Sequence, residues 1–271
     1  MHKMNLSAAL AGRAKEGKKT LVAYLPAGYP SLSVFKHCLE TVLMEADLVE
    51  IGFPFSDPLA DGITIQHAYQ QALDDGFNLP ALFEMLRRVS NPRKTPLVLM
   101  SYLNPLISFG IGKLAPRLRD AGFGAVLIPD LPAEEAGPAR KEFNQHGIEV
   151  VQLLSPATGI ERARRILRDS QGFVYLVSLR GVTGTQVVIP NDTIRYLAQI
   201  KKLSGKPVYV GFGISRPRQV AQLTRLADGI IVGSALVRLL TRPDPAGSLK
   251  RLLRELRQPL SGENSRPLKT I

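Results

Sequence analysis

The sequence predicts a single (β/α)8 TIM barrel, and three observations predict it. Eight apolar segments of strand length recur along the 271 residues, and a helix candidate follows each one. Their apolarity is continuous rather than alternating, as expected of parallel strands covered on both faces. No linker, low-complexity tract or shift in composition divides the chain, whose length matches the usual ~250 residues of such a barrel. Residues 1–271 therefore read as one domain, with 1–18 as a helical lead-in and 261–271 as a loose polar tail.

Each element has its own justification. Leu21–Pro26 is a buried strand closed by Ala27-Gly28-Tyr29-Pro30, and Ser31 caps a helix to about Leu43. Asp47–Ile51 is the second strand, followed by helices over Ile63–Leu73 and Leu79–Val89, the latter introduced by Asn78-Leu79-Pro80. Pro96–Tyr102 is the third strand, leading to Asn104-Pro105 and a helix over Leu114–Ala121. Strand and helix then alternate: Gly124–Pro129 and Ala133–His146, Val150–Leu154 and Ile160–Asp169, Phe173–Ser178 and Asp192–Leu203. Pro207–Gly211 and Arg216–Leu226 form the seventh unit. Gly229–Val232 is the eighth strand, and Gly233-Ser234 opens the last helical region.

In a barrel of this kind the site lies at the carboxyl ends of the strands, so the post-strand segments should carry the chemistry. Glu50 sits where the second strand stops. The run Gly52-Phe53-Pro54-Phe55-Ser56-Asp57-Pro58-Leu59-Ala60-Asp61-Gly62 follows, too apolar and too proline-braced for a casual acidic loop. A carboxylate on a rigid strand end, facing others on a shaped loop, is a common design for general acid–base chemistry. After the sixth strand, Gly181-Val182-Thr183-Gly184-Thr185 runs to Pro190, a length and flexibility that suit a water-excluding lid. Gly211-Phe212-Gly213 and Gly233-Ser234 follow the seventh and eighth strands, the usual phosphate seat of these barrels.

The stretch from Glu50 to Gly62 resembles the signature of the tryptophan synthase alpha chain. The segments at Pro129–Pro132, Gly181–Thr185, Gly211–Ser215 and Gly233–Ala235 follow that family's motifs in order and spacing, so the resemblance spans roughly Leu21–Val237. It implies a lyase cleaving indole-3-glycerol phosphate to indole and glyceraldehyde 3-phosphate, with Glu50 and Asp61 as the catalytic carboxylates. It implies phosphate binding at Gly184, Gly213, Gly233 and Ser234, and a pocket lined by Tyr24, Met100, Tyr102, Leu127, Tyr175 and Phe212. No cofactor is expected on this chain. The implied partner is a beta chain carrying pyridoxal phosphate, in an alpha2-beta2 complex, met through Phe55, Asp57, Pro58, Asn104 and Pro132. Three positions depart from the family pattern: Arg180 before the lid, Ile63 after Ala-Asp-Gly, and Glu45-Ala46 before the second strand.

Composition narrows the alternatives. One cysteine, Cys38, excludes an internal disulfide framework, and the four histidines show no metal-ligand spacing. The amino-terminal stretch is polar and basic, and no apolar run reaches the ~18 residues of a membrane helix, so a cytoplasmic protein is expected. The net charge of +12 is dispersed and lacks the aromatic-interleaved pattern of nucleic-acid binders. Lys250, Arg251, Arg254 and Arg257 read as one solvated helix face. Two rivals share the barrel: a catalytically weak subunit that mainly activates a beta chain, and a phosphate-binding isomerase. The paired carboxylates argue against both.

Overall fold

Continuous apolar strands need cover on both faces, and the chain supplies it by closing the sheet on itself. The computed structural model describes residues 6–177, 189–211 and 213–261. Eight parallel strands form a closed barrel in sequence order: β1 (Thr20–Pro26), β2 (Leu48–Gly52), β3 (Leu97–Met100), β4 (Phe123–Leu127), β5 (Glu149–Leu154), β6 (Val174–Val177), β7 (Val208–Gly211) and β8 (Gly229–Val232). The ring is shut where Thr20–Ala23 pair with Gly229–Val232.

Between strands lie helices whose apolar faces pack on the outside of the barrel: α2 (Leu32–Glu45), α3 (Ile63–Asp74), α4 (Leu79–Leu86), α5 (Leu103–Phe109), α6 (Ile111–Asp120) and α7 (Gly137–Gln145). The remainder are α8 (Ile160–Asp169), α9 (Asn191–Leu203), α10 (Pro217–Leu223), the short α11 (Ser234–Val237) and α12 (Pro245–Arg257). Local signals set several starts. Ser31 Oγ accepts from Val34 N, Asn78 Oδ1 from Ala81 N and Asp244 Oδ1 from Gly247 N, each satisfying an N–H that the first turn leaves unpaired. Among the described residues no helix is long and apolar enough to cross a membrane.

Side chains fill the barrel in layers. Val22, Leu48, Val98, Ala125, Val151, Phe173, Tyr209 and Ile231 point inward, with Phe173 and Tyr209 stacked at 4.5 Å. The amino-terminal helix α1 (Leu6–Lys15) sets Leu6 and Leu10 into this same cluster, closing the floor at the strands' amino ends. At the opposite end, which forms the mouth, described residues line a cavity.

Several boundaries differ from expectation. The third strand stops at Met100, and Tyr102 stands at the N-cap of α5, a helix not assigned from the sequence. Pro105 stands in the first turn of that helix, where its missing N–H costs nothing. The helix α7 begins at Gly137 rather than Ala133. The basic face of α12 is only partly solvated. Arg254 is exposed yet grips Glu45, and the half-buried Arg257 bonds Asp47 Oδ2 at 3.0 Å. The expected lid residues, Gly181, Val182, Thr183 and Gly184, lie outside the described residues, as do Arg180, Phe212 and the tail from residue 262.

Candidate active site

A cavity of about 510 Å³ opens at the mouth, and the segments singled out in the sequence converge on it. Glu50, in register with Tyr24 across the β1–β2 pair, points into the barrel one layer above Leu48. It is 1 % exposed, and its Oε1 is buried without a hydrogen-bond partner. Burial, reinforced by the nearby Asp61 charge, pushes its carboxyl up to about 8. An orphaned buried acceptor is costly, so one held at a cavity wall is a group kept ready for a ligand.

Asp61 faces the same cavity from the loop before α3. Desolvation raises it to about 6, and the Tyr102 hydroxyl, donating to Oδ2 at 2.8 Å, pulls the other way. The Tyr102 oxygen also accepts from Ala60 N at 3.0 Å, so one phenol fixes both the Asp61 carboxylate and its backbone approach. Gln66 Nε2 donates to the Asp61 carbonyl at 2.8 Å and completes the brace. Two carboxyl groups thus share a cavity but not an environment, the arrangement that splits acid from base.

Tyr24, Met100, Leu127 and Tyr175 line the cavity. Tyr102 stands behind Asp61 and is absent from the lining. Gly213, Gly233 and Ser234 also line it. Gly213 has a φ of 65°, a left-handed conformation that glycine adopts freely and side-chain-bearing residues resist. Ser234 opens α11, so its N–H and that of Ala235 precede the first intrahelical acceptor, Gly233 O, which is bonded by Leu236 N and Val237 N.

The rim carries the surface expected to meet a partner. Asp57, Asn104 and Pro132 are exposed, and Phe55 is half-buried against Tyr102, its ring stacked at 5.2 Å. Pro58 is buried beneath that loop. Leu59, Ile63 and Ile107 stand exposed around the same rim. Sequence reading did not single out three further groups. Gln152 and Arg162 line the cavity, the latter held by Glu134 at 2.9 Å. Tyr69 lies behind the wall and takes a hydrogen bond from Tyr24. The only signal for Tyr69 was a polar tip on an otherwise apolar helix face.

The chain is similar in sequence and fold to known proteins. The family model described as tryptophan synthase alpha chain matches residues 10–260. The tryptophan synthase alpha chain of Carboxydothermus hydrogenoformans is 40% identical over 231 residues, covering 85% of this chain and 86% of that one. The crystal structure of the alpha chain from Legionella pneumophila superposes with a TM-score of 0.86 at 31% identity, covering 97% of this chain and 100% of the other. A chain of the tryptophan synthase alpha2-beta2 complex from Pyrococcus furiosus matches with a TM-score of 0.82 at 36% identity, over 88% and 98% of the two chains.

Proposed function

Since the chain belongs to the tryptophan synthase alpha chain family, we propose that it carries out that family's lyase step with Glu50 and Asp61 as its acid–base pair. The reaction cleaves indole-3-glycerol phosphate to indole and glyceraldehyde 3-phosphate in tryptophan biosynthesis, and the chain works as the alpha subunit of an alpha2-beta2 complex. The observation that carries the residue assignment is the pair of carboxyls on one cavity, raised to different extents by different surroundings.

Near neutral pH Glu50 holds its proton and Asp61 does not. Glu50 gives that proton to the indole carbon that bears the glycerol chain, and the ring nitrogen gains positive charge. Asp61 accepts a charge-assisted hydrogen bond from that N–H. The Glu50 carboxylate then takes the proton of the hydroxyl on the adjacent carbon. The carbon–carbon bond breaks, its electrons return to the ring, and the aldehyde forms. Glu50 ends protonated, so one group serves as acid and then base. The phosphate is assigned to Gly213, Gly233 and Ser234, which line the cavity, and to Gly184. The beta chain is assigned the pyridoxal phosphate that consumes the indole, and a cytoplasmic setting goes with the pathway.

Indole release by the isolated chain tests the assignment. Glu50→Gln keeps the shape and removes the ionisable group, so kcat should drop by at least about a hundredfold, the lower range for general acid–base catalysis. Turnover near that of the parent chain would overturn the role given to Glu50.

A further inference from the structure

Tyr69 is, with Tyr209, one of the two largest fully buried side chains of the described residues, and it does not line the mouth cavity. Its hydroxyl accepts a 2.7 Å hydrogen bond from Tyr24, whose ring does line the cavity. Both phenolic oxygens occupy the space where the β2 glycine has no side chain. A Cβ on Gly52 would lie 2.2 Å from the Tyr24 oxygen and 2.5 Å from that of Tyr69. Gly52 follows Glu50 by two residues on β2, so the notch lies on the same face as the glutamate, roughly 7 Å further along the strand. That span is about the reach of a glutamate side chain plus one hydrogen bond. Tyr24 and Glu50 are register partners that point into the same interior, yet Glu50 Oε1 stays unpaired. Tyr24 gives its proton to Tyr69 instead.

We propose that Tyr69 is a positioning residue for the lyase step: by accepting the Tyr24 proton it keeps that donor off Glu50 and holds the glutamate as a proton-carrying acid. The inference rests on the role assigned to Glu50 above. Several groups face this carboxyl. Asp61 comes from the loop, Tyr24 from β1, Tyr69 from α3 and Tyr175 from β6, with Tyr102 behind Asp61. Arg162 lines the same cavity but is engaged by Glu134. Of these, Tyr24 is the donor whose direction a single hydroxyl decides. Removing the Tyr69 hydroxyl frees Tyr24 to donate to ionised Glu50, and a donor to the charged form lowers a carboxyl's pKa.

The test is a ¹³C-carboxyl NMR titration of the full-length chain, with Glu50→Gln identifying the resonance, alongside kcat against pH. Tyr69→Phe should move the Glu50 midpoint down by about one unit, the scale of a hydrogen bond to a charged group. Its kcat on the alkaline side should fall by about tenfold. The double variant Tyr24→Phe/Tyr69→Phe has no donor to redirect, so its midpoint should return to that of the parent chain. Tyr24→Phe alone, in which the redirected donor never existed, should leave the midpoint in place even if Tyr69→Phe folds poorly. An unmoved or rising midpoint in Tyr69→Phe, a double variant that stays shifted, or a downward shift in Tyr24→Phe would each overturn the proposal. If the NMR midpoints follow this pattern while kcat does not, it is the catalytic role of Glu50 that fails and not the hydroxyl arrangement.

Discussion

Burial lifts Glu50 to about 8 and Asp61 only to about 6, so between those values one carboxyl is neutral and the other charged. Activity that needs this pairing should give a bell-shaped kcat profile, with Asp61 setting the acid limb and Glu50 the alkaline limb. Tyr102 donates to ionised Asp61, so Tyr102→Phe should raise the Asp61 pKa and move the acid limb to higher pH. A profile whose acid limb stays in place would detach Tyr102 from that carboxylate. Stability should answer to the same groups. The folded-state value of Glu50 lies above its ordinary 4.5, so folding favours the protonated form. That contribution is full below about 4.5 and drains away as pH rises toward 8. Glu50→Gln should therefore melt with the parent chain near pH 4 and several degrees above it at pH 8, while losing activity. The proline-braced run singled out both carboxylates in the sequence, but only Asp61 lies on that loop; the second strand continues to Gly52, so Glu50 sits within β2 and not at its end. Tyr69 was not singled out, since a tyrosine on an apolar helix face looks like core until its hydroxyl partner is located.

The post-strand segments are where element and chemistry meet, and they respond differently to substitution. Gly213→Val would force a β-branched residue into a φ of 65° beside the assigned phosphate. KM for the phosphorylated substrate should rise at least tenfold, with binding of free indole retained. Equal loss of a dephosphorylated analogue would misplace the anion. On the opposite rim Asp57 is exposed and its carboxylate accepts from the neighbouring Ser56 hydroxyl at 2.5 Å, while Phe55 of the same loop stacks on the Tyr102 that holds Asp61. Asp57→Ala should thus weaken activation by a beta chain more than the basal rate. Coupling between sites is typically about 1–3 kcal/mol in affinity, roughly 5- to 150-fold. All eight strands were readable as apolar runs, whereas α5 was not. Its seven residues are too few to display a helical period, and Tyr102, two residues past the end of β3, stands at its N-cap.

At the scale of the molecule, the floor of the barrel is held by one buried carboxylate. Asp47 Oδ2 lies 2.9 Å from Arg13 on α1, 3.0 Å from Arg257 on α12 and 2.9 Å from Leu21 N. Asp47→Asn leaves two half-buried guanidinium groups without their counter-ion, a change that commonly costs about 3–5 kcal/mol. The melting temperature should fall by about 5–15 °C, while kcat of the folded chain at 25 °C stays within about twofold, because the clamp is at the end remote from the mouth. Periodicity reveals that strands exist but not which distant cations meet at their ends, so this clamp was invisible in sequence. The same floor has another consequence. With Leu6 and Leu10 lodged among Phe173 and Tyr209, the reaction chamber is a cul-de-sac. Indole and the triose phosphate must leave through the doorway by which their parent came in, so the two departures compete with each other and with the next arrival. Whatever roofs that doorway therefore governs traffic as well as chemistry: a roof that lets indole drain sideways would relieve the queue without unsealing the charged product.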